Sequence, residues 1–452
     1  MRREGERVGS PRVDGRGGVA GLPPPCGAQR QRDDRLEGQH PPSVGLPVVS
    51  EQSTARGETT GRFPLAALLV LALAIFVNIS IEMLPMGLVL PMSRDLGVSE
   101  SAIGLLVSVF AFTVVLSSTP LIRLTRRLPR HRLVIGVLLV FAAATAAGAV
   151  VPSYEWVVAT RIVGGLAHGV FWTVVGAYAA YLVPKEQIGR AVAITSAGGS
   201  LAFVLGLPLS TLLGQAVGWR ASFAVLGVAC LVAAFAVWRV LPAVDHLADV
   251  ATTETGSIAV PVADPDKSVR GIVVAVVSTT LAMTGQYAFY TFIAPFLVQH
   301  AGLREAWLSP ALLAYGLMGA LAIVALTLWL GRRALAGVVL CMVLMLATML
   351  VLVLSTALPL TIAAVLVWGL AMGALPPLLQ TRVLHASTER LLQPAMAWYT
   401  TGFNTGIGGG ALLGAIVYDA AGPGALPWVL FAAVAISLVL IGFTTHRRPL
   451  AA

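Results

Sequence analysis

Long uninterrupted apolar segments constrain this chain more than any other feature. Twelve segments each approach the roughly 20 apolar residues that a helix needs to cross a hydrocarbon layer about 30 Å thick. Such runs exclude an outer-membrane barrel, whose strands alternate apolar and polar residues. The segments lie near residues 65–90, 103–122, 133–152, 156–182, 191–217, 221–241, 271–298, 307–330, 334–355, 359–380, 393–418 and 426–443. The sequence therefore predicts an all-α membrane protein whose twelve transmembrane helices form two pseudo-symmetric six-helix bundles.

The composition also divides the chain into five segments. Residues 1–62 contain ten Arg, eight acidic residues and no long apolar run, which is typical of a disordered tail. Because it lacks the apolar core of a signal peptide, this tail is interpreted as a regulatory or solvated extension, or as sequence upstream of the true start. The predicted order is the tail 1–62, an N-terminal bundle 63–241, a polar cytoplasmic linker 242–270, a C-terminal bundle 271–445 and a C-terminal tail 446–452.

The positions of Arg and Lys predict how the helices are oriented in the membrane. Sixteen of them fall in loops after even-numbered helices or in the C-terminal tail, whereas the opposite loops hold only Arg94, Arg220 and Arg304. Because cytoplasmic loops carry the excess of positive charge, we expect a multi-pass protein of the bacterial inner membrane with both termini in the cytoplasm. Topology then explains the net charge of +9, and no nucleic-acid partner is expected.

Small residues recur at every fourth position in the fifth and the eleventh helix. The two sets are Gly198, Ala202, Gly206, Ser210, Gly214 and Gly218, and Gly402, Gly406, Gly410 and Gly414. This spacing places each set on one helix face, where small side chains let a neighbouring backbone come close. Two interpretations remain open, ordinary tight packing or a repeated device in two halves that rock against each other.

Few ionisable side chains fall inside the predicted helices, and such groups are usually functional. Glu82 in the first helix is the one carboxylate well inside the apolar layer, and Asn78 lies one turn away on the same face. In the fourth helix, Arg161 is followed on about the same face by His168 and Trp172. At 1.5 Å per residue, Glu82 and Arg161 lie roughly 13 Å and 8 Å below the outer surface, so an extended arginine reaches the acid.

Two interpretations of these ionisable groups remain open. Glu82 and Arg161 are either a functional pair in a cavity, with Glu82 taking up and releasing a proton, or structural residues that form a fixed ion pair or cap broken backbone near Pro85. His168 is either a neutral core histidine or a proton relay or ligand contact.

Further polar and aromatic side chains lie within helices of the second half, where they either bond neighbouring helices or face a water-filled pocket. The predicted substrate-binding set is Asn78, His168, Trp172, Gln286, Tyr287, Tyr290, Gln380 and Asn404. The sequence has no phosphate-binding GxxxxGK[ST] loop and no HExxH motif, and its three Cys form no CxxC pair. We therefore expect no cofactor, no metal and no enzymatic activity. Any driving force is then an ion gradient, or there is none.

Seven short stretches, in order across both halves, resemble the major facilitator superfamily, its drug:proton antiporter group and the arabinose- or sugar-efflux-like branch of that group. They are EMLPMGLVLP (82–91), PLIRLTRRLPR (120–130), RIVGGLAHG (161–169), LGLP (205–208) with GQAVGWR (214–220), YTFIAPF (290–296), WGLAMGALP (368–376) and FNTG (403–406). The resemblance covers nearly everything after residue 62 and implies the fold of this superfamily.

The resemblance also implies roles for individual residues. Arg161 matches the fourth-helix arginine that the family associates with proton coupling, and Glu82 matches its first-helix acid. Gly206, Pro208 and Gly214 match the antiporter motif of the fifth helix. The usual Gly-Pro pair of that motif is here Leu-Pro, which makes the motif a weaker argument for antiport over uptake.

The loop between the second and third helices matches a further motif of the family through Arg123, Arg127 and Arg130. The family commonly has an acid where this chain has Arg126, and a glycine where it has Pro129. Because that acid normally holds the loop against a neighbouring helix, the usual conformational latch is not expected here.

Together these features predict a secondary active transporter that works by alternating access. The first choice is proton-coupled efflux of a small amphipathic molecule such as a drug, a sugar or a nucleoside. The alternatives are an uncoupled facilitator or importer of the same fold and, from a different class, a polytopic membrane enzyme or a sensor. The resemblance implies a monomer in the lipid bilayer whose partners are protons and the small molecule.

Overall fold

A computed structural model describes residues 63–125, 127–242, 269–325, 334–388 and 390–445. Every regular element in these ranges is helical. The twelve long helices are α1 Leu65–Gly87, α2 Glu100–Thr125, α3 Arg130–Val150, α4 Tyr154–Tyr181, α5 Ile188–Val217, α6 Trp219–Val240, α7 Val269–Tyr290, α8 Leu308–Ala325, α9 Ala334–Leu354, α10 Leu358–Ala386, α11 Leu392–Ala421 and α12 Leu426–Thr445. Shorter helical segments lie at Val89–Leu96, Lys185–Gln187, Ile293–Pro295, Phe296–His300, Glu305–Trp307 and Pro423–Ala425. The predicted tails 1–62 and 446–452, and most of the linker 242–270, lie outside the described residues.

Eleven helices in the described ranges are long and apolar enough to cross a membrane. The long helix outside that set is α11, whose glycines, threonines and Asn404 make it less apolar than the others. It packs between α2 and α7 and is thereby partly shielded from lipid. The predicted fold class is therefore confirmed, with α11 as a twelfth long helix.

The packing of the helices repeats with an offset of six. α1 packs on α5 as α7 packs on α11, α3 packs on α6 as α9 packs on α12, and α2 packs on α4 as α8 packs on α10. We call α1 to α6 the first half and α7 to α12 the second half. Two seams join the halves, one between α2 and α11 and the other between α5 and α8. These two seams are equivalent under the same offset, which is the relationship expected of an internal repeat.

The two glycine stripes pack inside the halves and not at the seams. A Cβ atom at Gly198 of α5 would collide with the backbone of Ala72 in α1. In the same way, a Cβ atom at Gly410 of α11 would collide with the backbone of Thr284 in α7. The predicted close approach of backbones is confirmed, and its position within each half favours the interpretation as tight packing.

The seventh helix is shorter than the sequence predicts. The apolar run indicates a helix over 271–298, but α7 ends at Tyr290. Pro295 has no N–H with which to bond the carbonyl of Thr291, so a regular helix is interrupted here. The chain then continues as a π-helical turn at Phe296–His300. Periodicity alone does not reveal such a break, because the residues on both sides of it are apolar.

Polar contacts between the halves close one end of the bundle. We call the membrane face with the loops after odd-numbered helices the odd face, and the opposite one the even face. At the odd face, Nη2 of Arg94 lies 2.9 Å from Oε1 of Glu305. Nε2 of Gln299 donates to Oε1 of Glu100 at 2.9 Å, and the hydroxyl of Tyr418 donates to Oε2 of the same carboxylate at 3.1 Å. These contacts hold α2 and the loop before it against the second half.

Candidate functional site

The arginine of α4 meets α1 through its backbone. Pro85 has no N–H, so the carbonyl oxygen of Ile81, four residues earlier, has no donor within the helix. Arg161 is buried, and it supplies the missing donor from Nη1, 3.1 Å from that oxygen. Its Nη2 donates to the carbonyl oxygen of Glu82 at 2.9 Å, and its guanidinium lies 4.2 Å from the ring centroid of Phe110. The arginine therefore caps the backbone at the proline, as the structural interpretation of the sequence proposed.

The carboxylate of Glu82 faces a different partner. Its side chain is 14% exposed, and Oε2 lies 3.7 Å from Nε2 of His168. Among the described residues, His168 and not Arg161 is the basic side chain at ion-pair distance from this carboxylate. The acid, the histidine and the arginine thus lie together between α1 and α4, but the arginine donates its hydrogen bonds to backbone oxygens.

The hydrogen bonds of His168 define its protonation pattern. Nε1 of Trp172 donates to Nε2 of His168 at 2.8 Å, so Nε2 acts as an acceptor and the neutral ring carries its proton on Nδ1. The ring is buried, and Phe110 meets it at a centroid distance of 5.0 Å in an edge-on arrangement. Nε2 has one lone pair, which already accepts from Trp172, so the contact with Glu82 at 3.7 Å is not a hydrogen bond.

Three side chains near Glu82 have polar atoms without a hydrogen-bond partner within the described part of the chain. Both amide atoms of the fully buried Asn78 are unpartnered, and so are Nδ1 of His168 and Nε of Arg161. Asn78 lies one turn from Glu82 on the same face of α1. Buried polar atoms are nearly always bonded in proteins, so unpartnered ones next to a buried acid mark a site with spare hydrogen-bonding capacity.

A cavity of about 400 Å³ lies between the halves. This volume falls within the range of about 300–1,000 Å³ that is usual for small-molecule sites. Met83 lines the cavity, whereas the adjacent Glu82 does not, so the cavity and the acid contact different faces of α1. The aromatic side chains in the wall are Phe203, Tyr287, Tyr290, Tyr315, Tyr399 and Phe403, and its serine and amide side chains are Ser196, Ser200, Gln286 and Gln380.

The cavity lies in the part of the bundle nearer the even face. Gln380 in its wall is one of the last residues of α10, which ends at Ala386, so at 1.5 Å per residue it lies about 9 Å from that helix end. Ser196 and Tyr399 belong to the first parts of α5 and α11, which begin at the even face. The closed end at the odd face and the cavity toward the even face give the bundle an asymmetric conformation.

A hydrogen-bonded aromatic cluster fixes the wall of the cavity on the side of α7. Nε2 of Gln286 donates to the hydroxyl of Tyr315 at 3.1 Å, and Nε1 of Trp368 donates to Oε1 of Gln286 at 2.9 Å. Phe289 stacks on Trp368 with 4.8 Å between ring centroids, and Tyr290 stacks on Tyr315 at 5.1 Å. These contacts tie α7, α8 and α10 together, so the aromatic wall is rigid.

The predicted substrate-binding residues fall into two groups and one outlier. Four of them line the cavity: Gln286, Tyr287, Tyr290 and Gln380. Three lie around Glu82: Asn78 and His168, which are buried, and Trp172, which is 41% exposed. Asn404 lies outside the cavity wall and donates from Nδ2 to the carbonyl oxygen of Thr400, within its own helix.

The glycines and proline of the fifth-helix motif hold α5 against two neighbours. Gly206 lies against Ser80, and Gly214 lies against Leu88. The carbonyl oxygen of Pro208 accepts a hydrogen bond from Oγ of Ser309 at 2.8 Å, across the seam between α5 and α8. The motif therefore combines packing on α1 with a contact to the second half.

The arginines of the loop between α2 and α3 lie at the surface of the even face. Arg123 and Arg127 are exposed, and Arg130 is half-buried at the start of α3. Arg126 lies outside the described residues. The match of this loop to the family's motif, and the expected absence of the usual latch, stay predictions.

Sequence reasoning missed part of the cavity wall. Two pairs of glycines, Gly316 and Gly319 in α8 and Gly369 and Gly373 in α10, form a narrow section of the wall. A Cβ atom at Gly373 would collide with the backbone of Gly319, so these glycines let α8 and α10 touch. Their three- and four-residue spacing is the signal that marks a close helix contact, as it does in α5 and α11.

Comparison with known proteins identifies the family. A family model described as Major Facilitator Superfamily matches residues 71–391. A probable sugar efflux transporter of Mannheimia succiniciproducens is 30% identical over 385 residues, covering 84% of this chain and 94% of the relative. A probable sugar efflux transporter of Helicobacter pylori is 27% identical over 388 residues, covering 85% and 97%. A chloramphenicol resistance protein of Streptomyces lividans is 37% identical over 249 residues, covering 55% of this chain and 62% of the relative.

Solved structures share the fold. A bacterial homologue of the human lysosomal transporter Spinster, in an inward-facing and occupied conformation, aligns with a TM-score of 0.63 at 14% identity, covering 84% of this chain and 96% of that one. The human organic anion transporter MFSD10 aligns with a TM-score of 0.58 at 16% identity, covering 84% and 99%. The helix arrangement, the family match and these relatives lead to one conclusion: the chain belongs to the Major Facilitator Superfamily, a family of membrane transporters.

Proposed function

We propose that this transporter exports a small amphipathic molecule in exchange for protons by alternating access. The observation that carries the proposal is the position of Glu82: its side chain is only 14% exposed, its carboxylate lies 3.7 Å from Nε2 of His168, and the next residue, Met83, lines the cavity. Placing a carboxyl group at membrane depth costs free energy, and such groups usually mark a transport path or a proton relay. The relatives named as sugar efflux and chloramphenicol resistance proteins support export over uptake.

Proton exchange at Glu82 acts on the proline break in α1. When Glu82 loses its proton, its negative charge competes with the carbonyl oxygens of Ile81 and Glu82 for the guanidinium of Arg161. Movement of the arginine toward the carboxylate leaves the Ile81 oxygen without its donor and loosens α1 at Pro85. Because Met83 lines the cavity, a shift of this segment changes the substrate site. Protonation reverses the change, which links proton uptake to substrate release.

The orientation follows the distribution of positive charge. The even face is the cytoplasmic face of the bacterial inner membrane, both termini are cytoplasmic, and the cavity described above is open toward the cytoplasm. The moving parts are a bundle formed by residues 63–241 and a bundle formed by 271–445, joined by the linker 242–270. The protein acts as a monomer in the lipid bilayer.

Proton flux in proteoliposomes tests the proposal. The purified full chain is reconstituted, a pH gradient is imposed, and drugs, sugars and nucleosides are added in turn. The wild type is compared with Glu82→Gln, which keeps the size of the side chain and removes its titration. Glu186→Gln is the matched control, since Glu186 is an exposed carboxylate beside the start of α5.

The proposal expects substrate-evoked proton movement in the wild type and in Glu186→Gln, and its loss in Glu82→Gln. If a substrate moves without protons and Glu82→Gln transports it as the wild type does, antiport is wrong. The protein is then a facilitator of the same fold, in which Glu82 is structural.

A further inference from the structure

The wall of the cavity is uncharged. Within the described ranges, neither an acidic nor a basic side chain lines it. The buried ionisable residues Glu82, Arg161 and His168 belong to the contact between α1 and α4 and do not reach its wall. A charged group inside the cavity would lose its hydration without a compensating partner, so the wall disfavours ionised molecules.

The surface of the wall is mostly apolar, and part of its hydrogen-bonding capacity is used within the wall. Both ends of the Gln286 amide are engaged, by Tyr315 and by Trp368. The hydroxyl of Tyr399 donates to the carbonyl oxygen of Pro376 at 3.1 Å. A free sugar carries hydroxyl groups around its whole ring, and each one buried without a partner lowers its affinity. A sugar is therefore poorly matched to this wall.

Aromatic rings and glycine backbone supply most of the remaining surface. Tyr399 and Phe403 of α11 lie with 6.1 Å between ring centroids, and both line the cavity. The glycines of α8 and α10 add a stretch of wall without side chains, including Gly319 and Gly373. Aromatic side chains favour offset or edge-on contacts with another ring, so the aromatic part of the wall suits a molecule that carries one.

A shallower groove along α5 adjoins the cavity. The two share Ser196, Ser200, Val204 and Ala320 in their walls. The groove also includes Leu201, which is 49% exposed on a membrane-spanning helix. An exposed apolar side chain on such a helix is suited to contact with lipid, so the groove offers the cavity a side opening toward the apolar layer. Molecules that dissolve in the membrane can use this route, and free sugars cannot.

We infer that the cavity is selective for uncharged molecules that carry an aromatic ring, and that free sugars and ions are not its substrates. This inference rests on the proposed transport function, because it names the class of molecule that the same cavity carries. The relatives are named as sugar efflux and chloramphenicol resistance proteins. Of these two kinds of substrate, the chemistry of the wall favours the drug over the free sugar.

Binding to the purified full chain in detergent tests the inference. Calorimetric titration compares two matched pairs of probes. Phenyl β-galactoside and methyl β-galactoside differ in the aromatic ring, and chloramphenicol and its succinate ester differ in a negative charge. We expect phenyl galactoside to bind at least about tenfold more tightly than methyl galactoside, and chloramphenicol at least about tenfold more tightly than its succinate.

Two substitutions of the same kind check that binding occurs in this cavity. Phe403→Leu removes a ring from the wall and keeps an apolar side chain, and we expect it to weaken chloramphenicol binding about threefold to tenfold. Phe443→Leu makes the same change at a side chain that is 65% exposed near the end of α12, and it should bind as the wild type does.

Equal binding of both galactosides, equal binding of chloramphenicol and its succinate, or no binding by any of the four probes would overturn the inference. An equal effect of the two phenylalanine substitutions would do the same. The test does not measure protons, so its outcome is independent of coupling. Ring selectivity together with normal proton-free transport by Glu82→Gln would refute the proposed antiport and leave this inference intact.

Discussion

Nη1 of Arg161 lies 3.1 Å from the carbonyl oxygen of Ile81, the oxygen that Pro85 deprives of its helical donor. Replacing the arginine with methionine keeps an apolar chain of similar length and removes both hydrogen bonds to α1. We expect Arg161→Met to lower the free energy of unfolding by about 1–3 kcal/mol, the usual cost of a buried carbonyl without a partner. Thermal unfolding of the detergent-solubilised protein measures the change.

A second substitution separates the capping role of Arg161 from a general effect of its charge. Pro85→Ala supplies the N–H that the carbonyl oxygen of Ile81 lacks in the native helix. In the Pro85→Ala background we expect Arg161→Met to lower the free energy of unfolding by less than half as much as it does in the wild type. Equal costs in the two backgrounds would show that the arginine does not act through this carbonyl.

Substrate binding should depend on pH through Glu82. Antiport requires the proton and the exported molecule to oppose each other, so the form with an ionised carboxylate binds the molecule and the protonated form releases it. Affinity should therefore rise with pH, by at most about tenfold per pH unit for a single proton. Calorimetric titration at several pH values should show this slope in the wild type and a flat profile in Glu82→Gln.

The exposed carboxylate of Glu186 again provides the control for this experiment. Glu186→Gln should reproduce the wild-type slope, because its side chain is already in water near the even face. If affinity still rises with pH in Glu82→Gln, the prediction is wrong and another group takes up the proton. His168 is the nearest such group.

The sequence predicts the neighbours of Glu82 better than their contacts. The distances of Glu82 and Arg161 from their helix ends indicate that the two side chains lie at similar depth, and the structure places them in contact through the backbone. One carbonyl oxygen that accepts from Arg161 is that of Ile81. Pro85 removes the helical donor of this oxygen, an effect that the sequence alone predicts. The bond from Trp172 to His168 joins residues one turn apart, but its direction depends on rotamers that spacing does not determine.

The cavity wall was only partly predictable, for a different reason. Gln286, Tyr287 and Tyr290 stand out because they are polar or amphipathic residues in an apolar helix, and all three line the cavity. Phe403 is apolar and carries no such signal, and Tyr399 lies about 10 Å from the start of α11, in the outer part of a membrane helix where aromatic residues are common. Their place in the wall results from the packing of α11 against α7, which only the tertiary structure shows.

Closure of the odd face should depend on the hydroxyl of Tyr418. This hydroxyl lies 3.1 Å from Oε2 of Glu100 and 3.0 Å from Oε1 of Gln299. Removing one hydrogen bond worth about 1 kcal/mol should raise the population open at this face about fivefold. A cysteine in place of the buried Ala294, in the turn after α7, reports the opening through its rate of alkylation by a membrane-impermeant maleimide. We expect Tyr418→Phe to increase that rate about fivefold.

Another tyrosine near the odd face supplies the comparison. The hydroxyl of Tyr154 donates to the carbonyl oxygen of Ala102 at 2.7 Å, but both residues belong to the first half. Tyr154→Phe therefore removes a hydrogen bond of the same kind without affecting a contact between the halves, and the alkylation rate should stay unchanged. If both variants react at the same rate, Tyr418 is not part of the closure.

Two adjacent glycines of α11 test whether the glycine stripe serves packing. A Cβ atom at Gly410 would meet the carbonyl oxygen of Thr284, whereas one at Gly409 would have open space around it. We expect Gly410→Ala to lower the free energy of unfolding by about 1–3 kcal/mol, because backbone cannot move aside as a flexible side chain does. Gly409→Ala should be neutral or stabilise the protein by up to about 1 kcal/mol, since alanine favours a helix over glycine.

The same pair also distinguishes packing from movement between the halves. α11 and α7 both belong to the second half, so the contact of Gly410 with Thr284 is expected to persist when the halves move. Thermal unfolding and initial transport rate are measured on the same preparations. Gly410→Ala should lower the unfolding midpoint, whereas its transport rate per folded molecule should stay close to that of Gly409→Ala. A large loss of rate at an unchanged midpoint would instead assign the stripe to the transport cycle, the interpretation that its repetition in α5 and α11 first made plausible.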